Sequence, residues 1–600
     1  MSQEKIPLRK ETAIENTWDL SKLFPNEKKW EEGLGSFEKM AEKIPGFKGT
    51  LGSSAENLAA WLDFSRDIGI LGERLGSYAH LRQSEDEGDD AARAMMGKFI
   101  MASSKADAAS AWAAPEIMAI PDDAMERFMS LPALGEYRIY LKKLRRNKPY
   151  ILSEKEERII ALQAEGEGVA HDAFSVLTNV DMDFGVIDTP EGKRPLSQSS
   201  WSVLIENRDR EFRRRVYETF YHHFDAHKNT LASLYAGQVK LDVIHARTRG
   251  YSSARAAALF KDDVSESVYD NLINTVSKNL APLHRYYSLR KKALKLPDLR
   301  HYDVYVPIAA VPVKKTTWNE AVELVCRALA PLGDEYTGVL KEGLLGRWAD
   351  RYENKGKRSG AFSAGGFTGD PYILMNYKDD SIRDVFTLAH EGGHSMHSYY
   401  SAKNNPFMHY DYTIFEAEVA STFNEEFLFR YLRDLPEFNS AELKLYIVNK
   451  RIDEILSTLY RQTMFAEFEK RTHELEESGV PLTVNVFRDE YRKLLEKYFG
   501  SEMVLEKESD LEGLRIPHFY RAFYVYKYST GISASLALAE RVLSGGEKER
   551  ADYFGFLKSG GSRFPIESLK AAGVDMSSPA PVEAACKIFG SLVGELEGLL

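Results

Sequence analysis

The sequence predicts a mainly α-helical fold with a small β element. Long segments place apolar residues three and four positions apart, the spacing of one face of an α-helix. Strand signals are few, in two short stretches near residues 178–197 and 371–377. No repeat of 20–50 residues is visible, which argues against a solenoid. With 600 residues, 44% of them hydrophobic, the chain is long enough for two or more lobes with their own cores.

The first half of the chain reads as helices separated by breaks. Apolar spacing predicts helices over 55–81, 91–114, 153–177, 207–246 and 265–294. The third of these opens on Ser153 with Glu156 three residues later, which is a capping-box pattern. Alternating residues at 180–184 and a turn pattern at 189–192 predict the first β element.

A second strand is predicted just before the most informative helix. Residues 371–377 are rich in β-formers and follow several glycines. The edge of such a strand could hold an extended peptide by backbone pairing, which would place Tyr372 and Asn376 at the substrate. A short strand inside the core is the alternative.

Residues 390–394 form an H-E-x-x-H pattern, His-Glu-Gly-Gly-His. On an α-helix, His390 and His394 lie on the same face and can bind one Zn²⁺ at about 2.0–2.1 Å each. Glu391 would lie beside the metal, where it can take a proton from water. Ser381 and Asp384 predict the start of this helix, and roughly 0.03 chance matches are expected in such a chain. The motif therefore predicts a zinc peptidase, with solvated surface histidines as the alternative.

A catalytic zinc needs a third protein ligand. A third motif histidine is excluded, because Tyr400 stands where it would have to be. His397 is better interpreted as a neighbour than as a ligand. A helix over 412–429 offers Glu416 and Glu418, which lie about 200° apart around the axis, so only one can face the metal.

The same helix carries two further features. The small residues at 419–421 would let it pack closely on the motif helix. Glu425 shares the face of Glu418 and could accept a hydrogen bond from a histidine N–H. The alternative is that Glu425 is an ordinary surface acid.

Composition excludes several classes of protein. A net charge of −11, from 79 basic and 90 acidic residues, argues against nucleic-acid binding, and the basic run at 142–148 is interpreted as a helix end. Two cysteines, Cys326 and Cys586, exclude a disulfide framework. The polar start at 1–10 and the lack of any stretch of about 18 apolar residues predict a cytoplasmic protein with no membrane partner.

The chain resembles peptidase family M3, the thimet oligopeptidase group, and within it the oligoendopeptidase F branch. The resemblance rests on residues 390–397 and on the Glu-Val-Ala-Ser-Thr segment at 418–422. Glu418 stands 24 residues past His394, which matches the family spacing and favours Glu418 over Glu416. Other segments similar to that branch are 18–20, 372–377, 518–520, 524–526 and 560–562.

The resemblance implies a two-lobed, clam-like fold with a zinc site on the floor of a deep central channel. It implies one Zn²⁺ per chain, held by His390, His394 and Glu418, with Glu391 as the base. The implied activity is cleavage of internal bonds in short unstructured peptides.

The resemblance also implies that a C-terminal histidine and tyrosines hold substrate and oxyanion. His518 matches the histidine, and Tyr526 best matches the oxyanion donor. Tyr520 and Tyr524 compete for that role and are otherwise expected to contact substrate. Core packing is the alternative for this aromatic run.

Two other functions remain to be distinguished. A peptidyl-dipeptidase would share the zinc chemistry but would need a cation to bind the substrate C-terminus. A non-catalytic helical interaction protein would hold no zinc. We expect residues 1–200 to form an N-terminal helical region contributing to the upper lobe, and 201–600 to form the catalytic region. The sequence does not indicate an oligomeric state.

Overall fold

The computed structural model is mainly helical and describes residues 6–189, 192–309, 315–438 and 440–600. The first helices are α1 (Glu27–Ala41), α2 (Ala55–Glu85), α3 (Asp90–Ser110), α4 (Ala113–Ala119), α5 (Asp122–Ser130), α6 (Arg138–Arg145), α7 (Glu154–Glu167) and α8 (Val169–Val176). The next are α9 (Gln198–Leu204), α10 (Arg210–Arg249), α11 (Ala254–Phe260), α12 (Glu266–Lys278), α13 (Ala281–Ala293), α14 (Trp318–Ala328), α15 (Asp334–Leu345) and α16 (Ile382–Asn404). The last are α17 (Ile414–Asp434), α18 (Ala441–Ile455), α19 (Gln462–Glu477), α20 (Val484–Phe499), α21 (Tyr526–Ser544), α22 (Glu547–Ser559), α23 (Pro565–Ala571) and α24 (Ala580–Leu599). The predicted mainly α-helical class is confirmed.

The strands are short and belong to three small sheets. They are β1 (Val186–Thr189), β2 (Gly192–Pro195), β3 (Leu299–Arg300), β4 (Ala349–Asp350), β5 (Phe362–Ala364), β6 (Tyr372–Leu374) and β7 (Met503–Val504). β1 pairs antiparallel with β2, and β3 pairs parallel with β7. The third sheet has the order β4-β6-β5, with β4 parallel and β5 antiparallel to β6.

Several predicted element boundaries were wrong in detail. The alternating stretch at 180–184 is not a strand, because residues Leu177–Asp181 continue α8 as a π-helical turn. The β element nevertheless exists as β1 and β2, while Pro190 and Glu191 of the predicted turn lie outside the described residues. The predicted helix at 265–294 is two helices, since Pro282 begins α13 in its first turn.

Helix starts show where local sequence suffices. The predicted capping box at Ser153 is present: its N–H donates to Glu156 Oε2 (2.9 Å), and its hydroxyl accepts from the Glu156 N–H (3.4 Å). The helix start predicted at Ser381 is confirmed, since Ser381 is the N-cap residue of α16, but its hydroxyl donates to Asp384 Oδ1 (2.9 Å) and accepts from no backbone N–H.

The chain divides into two compact units, each built from three segments. Unit 1 comprises Met1–Pro149, Val313–Leu432 and Leu538–Gly573, and unit 2 comprises Tyr150–Pro312, Arg433–Ala537 and Val574–Leu600. The predicted division at residue 200 and the clam-like shape with its channel stay predictions. Among the described residues, no helix has the length and apolar character needed to cross a bilayer.

The small β4-β6-β5 sheet belongs to the core of unit 1. All three residues of β6 are buried, and the Tyr372 ring packs edge-on against Trp18 with centroids 6.3 Å apart. Helices α16 and α17 lie in the same unit and carry the predicted metal ligands.

Two cations of the basic run at 142–148 bind backbone carbonyls within unit 1. Lys143 Nζ donates to the carbonyl of Arg563 (2.9 Å), and Arg145 Nη1 donates to the carbonyls of Ile117 and Ile120 (3.0 Å each). These cations satisfy helix-end and loop carbonyls, which is the structural interpretation of the run.

Unit 2 is organised by the 40-residue helix α10. Its buried face is rich in aromatic residues, and Tyr235 packs against Phe468 of α19 and Phe487 of α20, with centroids 6.0 and 5.0 Å away. This frame holds the segment that carries the predicted substrate-binding histidine and tyrosines.

Candidate metal centre

Two helices approach closely because of one glycine. A Cβ at Gly393 of α16 would lie 2.6 Å from both the Ala420 oxygen and the Ser421 Cα of α17, closer than real contacts allow. Asn424 also binds the two helices together, since its Nδ2 donates to the Ala389 carbonyl of α16 (3.2 Å). The close packing expected from the small residues at 419–421 is confirmed.

This approach brings the three expected ligands together. The Nε2 atoms of His390 and His394 lie 3.1 Å apart, and His390 Nε2 lies 3.8 Å from Glu418 Oε2. The donor atoms of these three residues all lie within 4.8 Å of one another. Two nitrogens bound tetrahedrally to one Zn²⁺ would be about 3.3 Å apart, so the side chains fit such an ion.

A carboxylate fixes the orientation of the first histidine. His390 Nδ1 donates to Glu425 Oε1 (2.6 Å), which leaves Nε2 with its lone pair toward His394 and Glu418. Metal-binding histidines usually donate their other N–H in this way. The sequence-based interpretation of Glu425 as a histidine acceptor is confirmed as a contact.

Glu391 is buried beside the pair. Its carboxyl is 6% exposed, and among the described residues its Oε2 has no hydrogen-bond partner. Burial raises the pKa of Glu391 to about 7, although the nearby His390 lowers it. A carboxyl with a pKa near neutrality is suited to accept and return a proton.

The two rejected ligand candidates are occupied elsewhere. Glu416 is 1% exposed, and its Oε2 accepts from the N–H and hydroxyl of Thr413 (3.2 Å each) at the start of α17. His397 is 1% exposed and stacks on Tyr412, with ring centroids 3.6 Å apart and an interplanar angle of 9°. Neither belongs to the ligand cluster found among the described residues.

The predicted free strand edge is in a different place. β6 is the central strand, paired on both sides, so a peptide cannot add to Tyr372–Leu374 and that expectation is wrong. The Asn376 amide donates to the carbonyls of Arg358 and Gly360 (3.0 and 2.9 Å).

In the part of the chain that the structure describes, the outer edge of β5 is unpaired. β5 also adjoins the motif helix, since the hydroxyls of Ser363 and of Ser395 on α16 lie 2.8 Å apart. Sequence reasoning missed β5, because Phe362 is its one strong β-former and glycines stand close on both sides of it.

The C-terminal histidine and tyrosines predicted to hold oxyanion and substrate lie in unit 2. The His518 and Tyr524 rings are partly exposed and nearly parallel, with centroids 6.2 Å apart. Tyr520 is 8% exposed and packs on Phe174, with centroids 4.7 Å apart. Tyr526 is fully buried, and its hydroxyl has no partner among the described residues. Of the three tyrosines, Tyr524 is therefore the accessible one in this conformation.

An H-E-x-x-H helix, a facing glutamate and a mainly helical frame define a helical metallopeptidase. The comparisons agree. Residues 203–588 match the profile of Peptidase family M3, and residues 116–184 match that of Oligopeptidase F. The chain belongs to peptidase family M3 and is a metalloendopeptidase of the oligopeptidase type.

Relatives of this type cover nearly the whole chain. The Oligopeptidase PepF of Bacillus subtilis (strain 168) is 41% identical over 606 residues, covering 100% of this chain and 90% of the relative. An oligoendopeptidase F homolog of Borreliella burgdorferi is 39% identical, covering 98% and 99%. The crystal structure of oligoendopeptidase-F from Enterococcus faecium is 33% identical, with a TM-score of 0.74 over 96% of this chain and 99% of that one.

Proposed function

We propose that the metal is one Zn²⁺ per chain, held by His390, His394 and Glu418. The observation that carries this proposal is the convergence of two Nε2 atoms, 3.1 Å apart, with a carboxylate oxygen 3.8 Å from one of them. Two imidazoles and one carboxylate are a common catalytic zinc set, whereas Mg²⁺ and Ca²⁺ prefer all-oxygen sites.

The chemistry is hydrolysis of a peptide bond. When bound, the ion supplies a Lewis acid that polarises the scissile carbonyl and activates water near neutral pH. Glu391 takes the proton from the attacking water and returns it to the leaving amine. Glu425 keeps His390 in its ligating tautomer. The oxyanion is assigned to His518 and Tyr526, with Tyr524 as the competitor that its exposure favours.

The substrates we propose are short unstructured peptides, cut at internal bonds. The outer edge of β5 offers backbone groups for pairing, which would hold an extended chain with little regard for its side chains. A peptidyl-dipeptidase is the second candidate. We place the protein in the cytoplasm, where two buried thiols stay reduced.

A set of four variants tests the metal assignment. His390→Ala, His394→Ala and Glu418→Gln should each lose most bound zinc and activity, because a catalytic site has no spare protein ligand. Glu391→Gln should keep zinc and lose turnover by about 10²–10⁴-fold, the usual contribution of a general base. Zinc is measured by metal analysis of the purified proteins. Glu416→Gln on the same helix is the matched control and should keep both. Zinc loss in Glu416→Gln with retention in Glu418→Gln would contradict the assignment.

A ladder of peptides tests the mode of cleavage. Unstructured peptides of roughly 5–20 residues should be cut internally, since one strand of pairing on each side of the metal spans that length. Blocking both termini should leave the rate largely unchanged, because an endopeptidase binds backbone rather than end charges. Products are identified by mass spectrometry. If an amidated C-terminus stops cleavage, the enzyme is a peptidyl-dipeptidase; if a folded protein is cut as fast as a short peptide, the enclosed channel is wrong.

A further inference from the structure

The segment between His518 and Tyr526 contains a strained residue. Phe523 has a φ of 54°, a left-handed conformation that bulky side chains rarely adopt. Its ring is 2% exposed and packs against His473 and Tyr269, with centroids 4.5 and 5.7 Å away. Such strain persists only where the surroundings over-determine the conformation, and it concentrates at functional sites.

A buried carboxyl accepts a hydrogen bond from the backbone of this residue. Glu469 of α19 is 0% exposed, and its Oε1 accepts from the Phe523 N–H (3.0 Å). Among the described residues, its Oε2 has no hydrogen-bond partner, so the carboxyl makes its hydrogen bond to the Phe523 N–H through Oε1. A carboxyl in the core is costly unless it has a specific use.

The surroundings of Glu469 disfavour its charged form. Burial raises the pKa of Glu469 well above its usual range, and the nearby Asp242 raises it further. Asp242 itself lies 3.2 Å from His473 Nε2, in the same cluster. An uncharged carboxyl is close in shape and polarity to a glutamine amide, which makes Gln its conservative replacement.

We propose that Glu469 is a positioning residue that holds the Phe523 N–H and thereby fixes segment 521–526, which carries Tyr524 and Tyr526. The proposal rests on the proposed role of these tyrosines at the oxyanion. Glu469 would not touch substrate. Its effect would reach the reaction through the backbone that places the tyrosine hydroxyls, because small displacements of a transition-state donor cost much of its effect.

The test compares Glu469→Leu, which removes the acceptor, with Glu469→Gln, which keeps it. Cleavage of an internally quenched peptide should show kcat falling at least about tenfold in Glu469→Leu with KM little changed, because the tyrosines act mainly in the transition state. Glu469→Gln should stay within about threefold of the parent. Glu467→Leu, on the same helix, is the matched control: Glu467 pairs with Lys497 (2.6 Å) and accepts from the Tyr498 hydroxyl (2.9 Å), both on α20.

Two further measurements separate positioning from simple stability. Amide exchange followed by mass spectrometry should quicken over 518–528 in Glu469→Leu and not elsewhere in unit 2, with zinc content unchanged. In a Tyr524→Phe/Tyr526→Phe background, Glu469→Leu should cause little further loss, because both changes act on the same donors. If Glu469→Leu lowers kcat in that background by as large a factor as it does in the parent, the proposal is overturned. Faster exchange throughout unit 2 would overturn it as well.

The parent alone also tests the inference. The Phe523 amide should be among the slowest to exchange in 515–525, and exchange at the rate of an unstructured peptide would overturn the proposal even if Glu469→Leu fails to fold. A parent that cleaves no peptide would refute the proposed function, while the exchange result would still decide whether Glu469 holds the segment.

Discussion

At the scale of single residues, the site depends on one hydrogen bond that orients a ligand. His390 can direct Nε2 to a metal only if its proton sits on Nδ1, and Glu425 secures that tautomer at 2.6 Å. The spacing of seven residues between Glu418 and Glu425 puts both carboxylates on one face of α17, so one helix supplies both a proposed ligand and the hydrogen-bond acceptor of His390.

Replacing Glu425 should separate orientation from charge. Glu425→Ala should weaken zinc binding by about 10–100-fold, because the histidine loses its acceptor. Glu425→Gln keeps an acceptor oxygen and should lose less. Zinc affinity is measured by competition with a chelator. Parent-like affinity in Glu425→Ala would show that His390 is oriented by other contacts.

At the scale of elements, the proposed metal ligands come together because α16 and α17 pack closely against each other. The backbone of α17 lies against Gly393, so the position of Glu418 relative to the histidines depends on a missing side chain. The neighbouring Gly392 points to Leu340, whose Cδ1 would be 3.3 Å from an added Cβ. Two adjacent glycines in one turn therefore have different consequences.

Alanine at each glycine should reveal this difference. Gly393→Ala should push α17 away and weaken zinc binding at least about tenfold, the size of loss that disturbed metal surroundings produce. Gly392→Ala is the matched control and should keep zinc, because the Leu340 side chain can move and the helix gains about 1 kcal/mol in propensity. Zinc affinity, from competition with a chelator, and circular dichroism are measured for both. Equal zinc affinity in the two variants would contradict the close approach of the helices.

At the scale of the whole molecule, each unit depends on its own buried contacts for stability. In unit 2, buried Glu512 binds Arg461 Nη2 (2.6 Å) and the Tyr491 hydroxyl (2.8 Å). Burial alone would raise the pKa of Glu512, but Arg461 and other nearby cations lower it to about 2. A depressed folded-state pKa means that the carboxylate stabilises unit 2 above pH 4.5, the usual value, and that this stability is lost as the pH falls toward 2.

Glu512→Gln should therefore destabilise the protein in a pH-dependent way. At pH 7 we expect the free energy of unfolding to fall by about 3 kcal/mol, because Arg461 stays buried without its counter-charge. The difference from the parent should shrink as the pH falls from 4.5 toward 2, since Glu512 then binds a proton in the unfolded parent before it does so in the folded one. Urea unfolding across this pH range measures both. Glu211→Gln, in an exposed pair with Arg214, is the control and should have little effect. A pH-independent difference would refute the role of the Glu512 charge.

Features that depend on local spacing along the chain were predictable before the structure was known. The two histidines four residues apart on a helix, the base beside the first, and Glu418 and Glu425 seven apart follow from helical periodicity alone. The helical class and the capping box at Ser153 follow in the same way from patterns of a few residues. Cleavage by this site was an expectation of resemblance, which the family match supports.

Features that depend on contacts between distant segments could be read only from the folded chain. Which strand is central and which is an edge is set by pairing partners, so β5 rather than β6 has the free edge. Whether Tyr524 or Tyr526 is accessible depends on packing against α12, where Tyr269 covers the Tyr526 ring at 5.2 Å. The Glu469 contact joins residues 54 positions apart, and its effect on Phe523 has no sequence signature. Local patterns predict which residues share a helix face. Burial and strand pairing depend on which distant segments pack together, and short patterns do not contain that information.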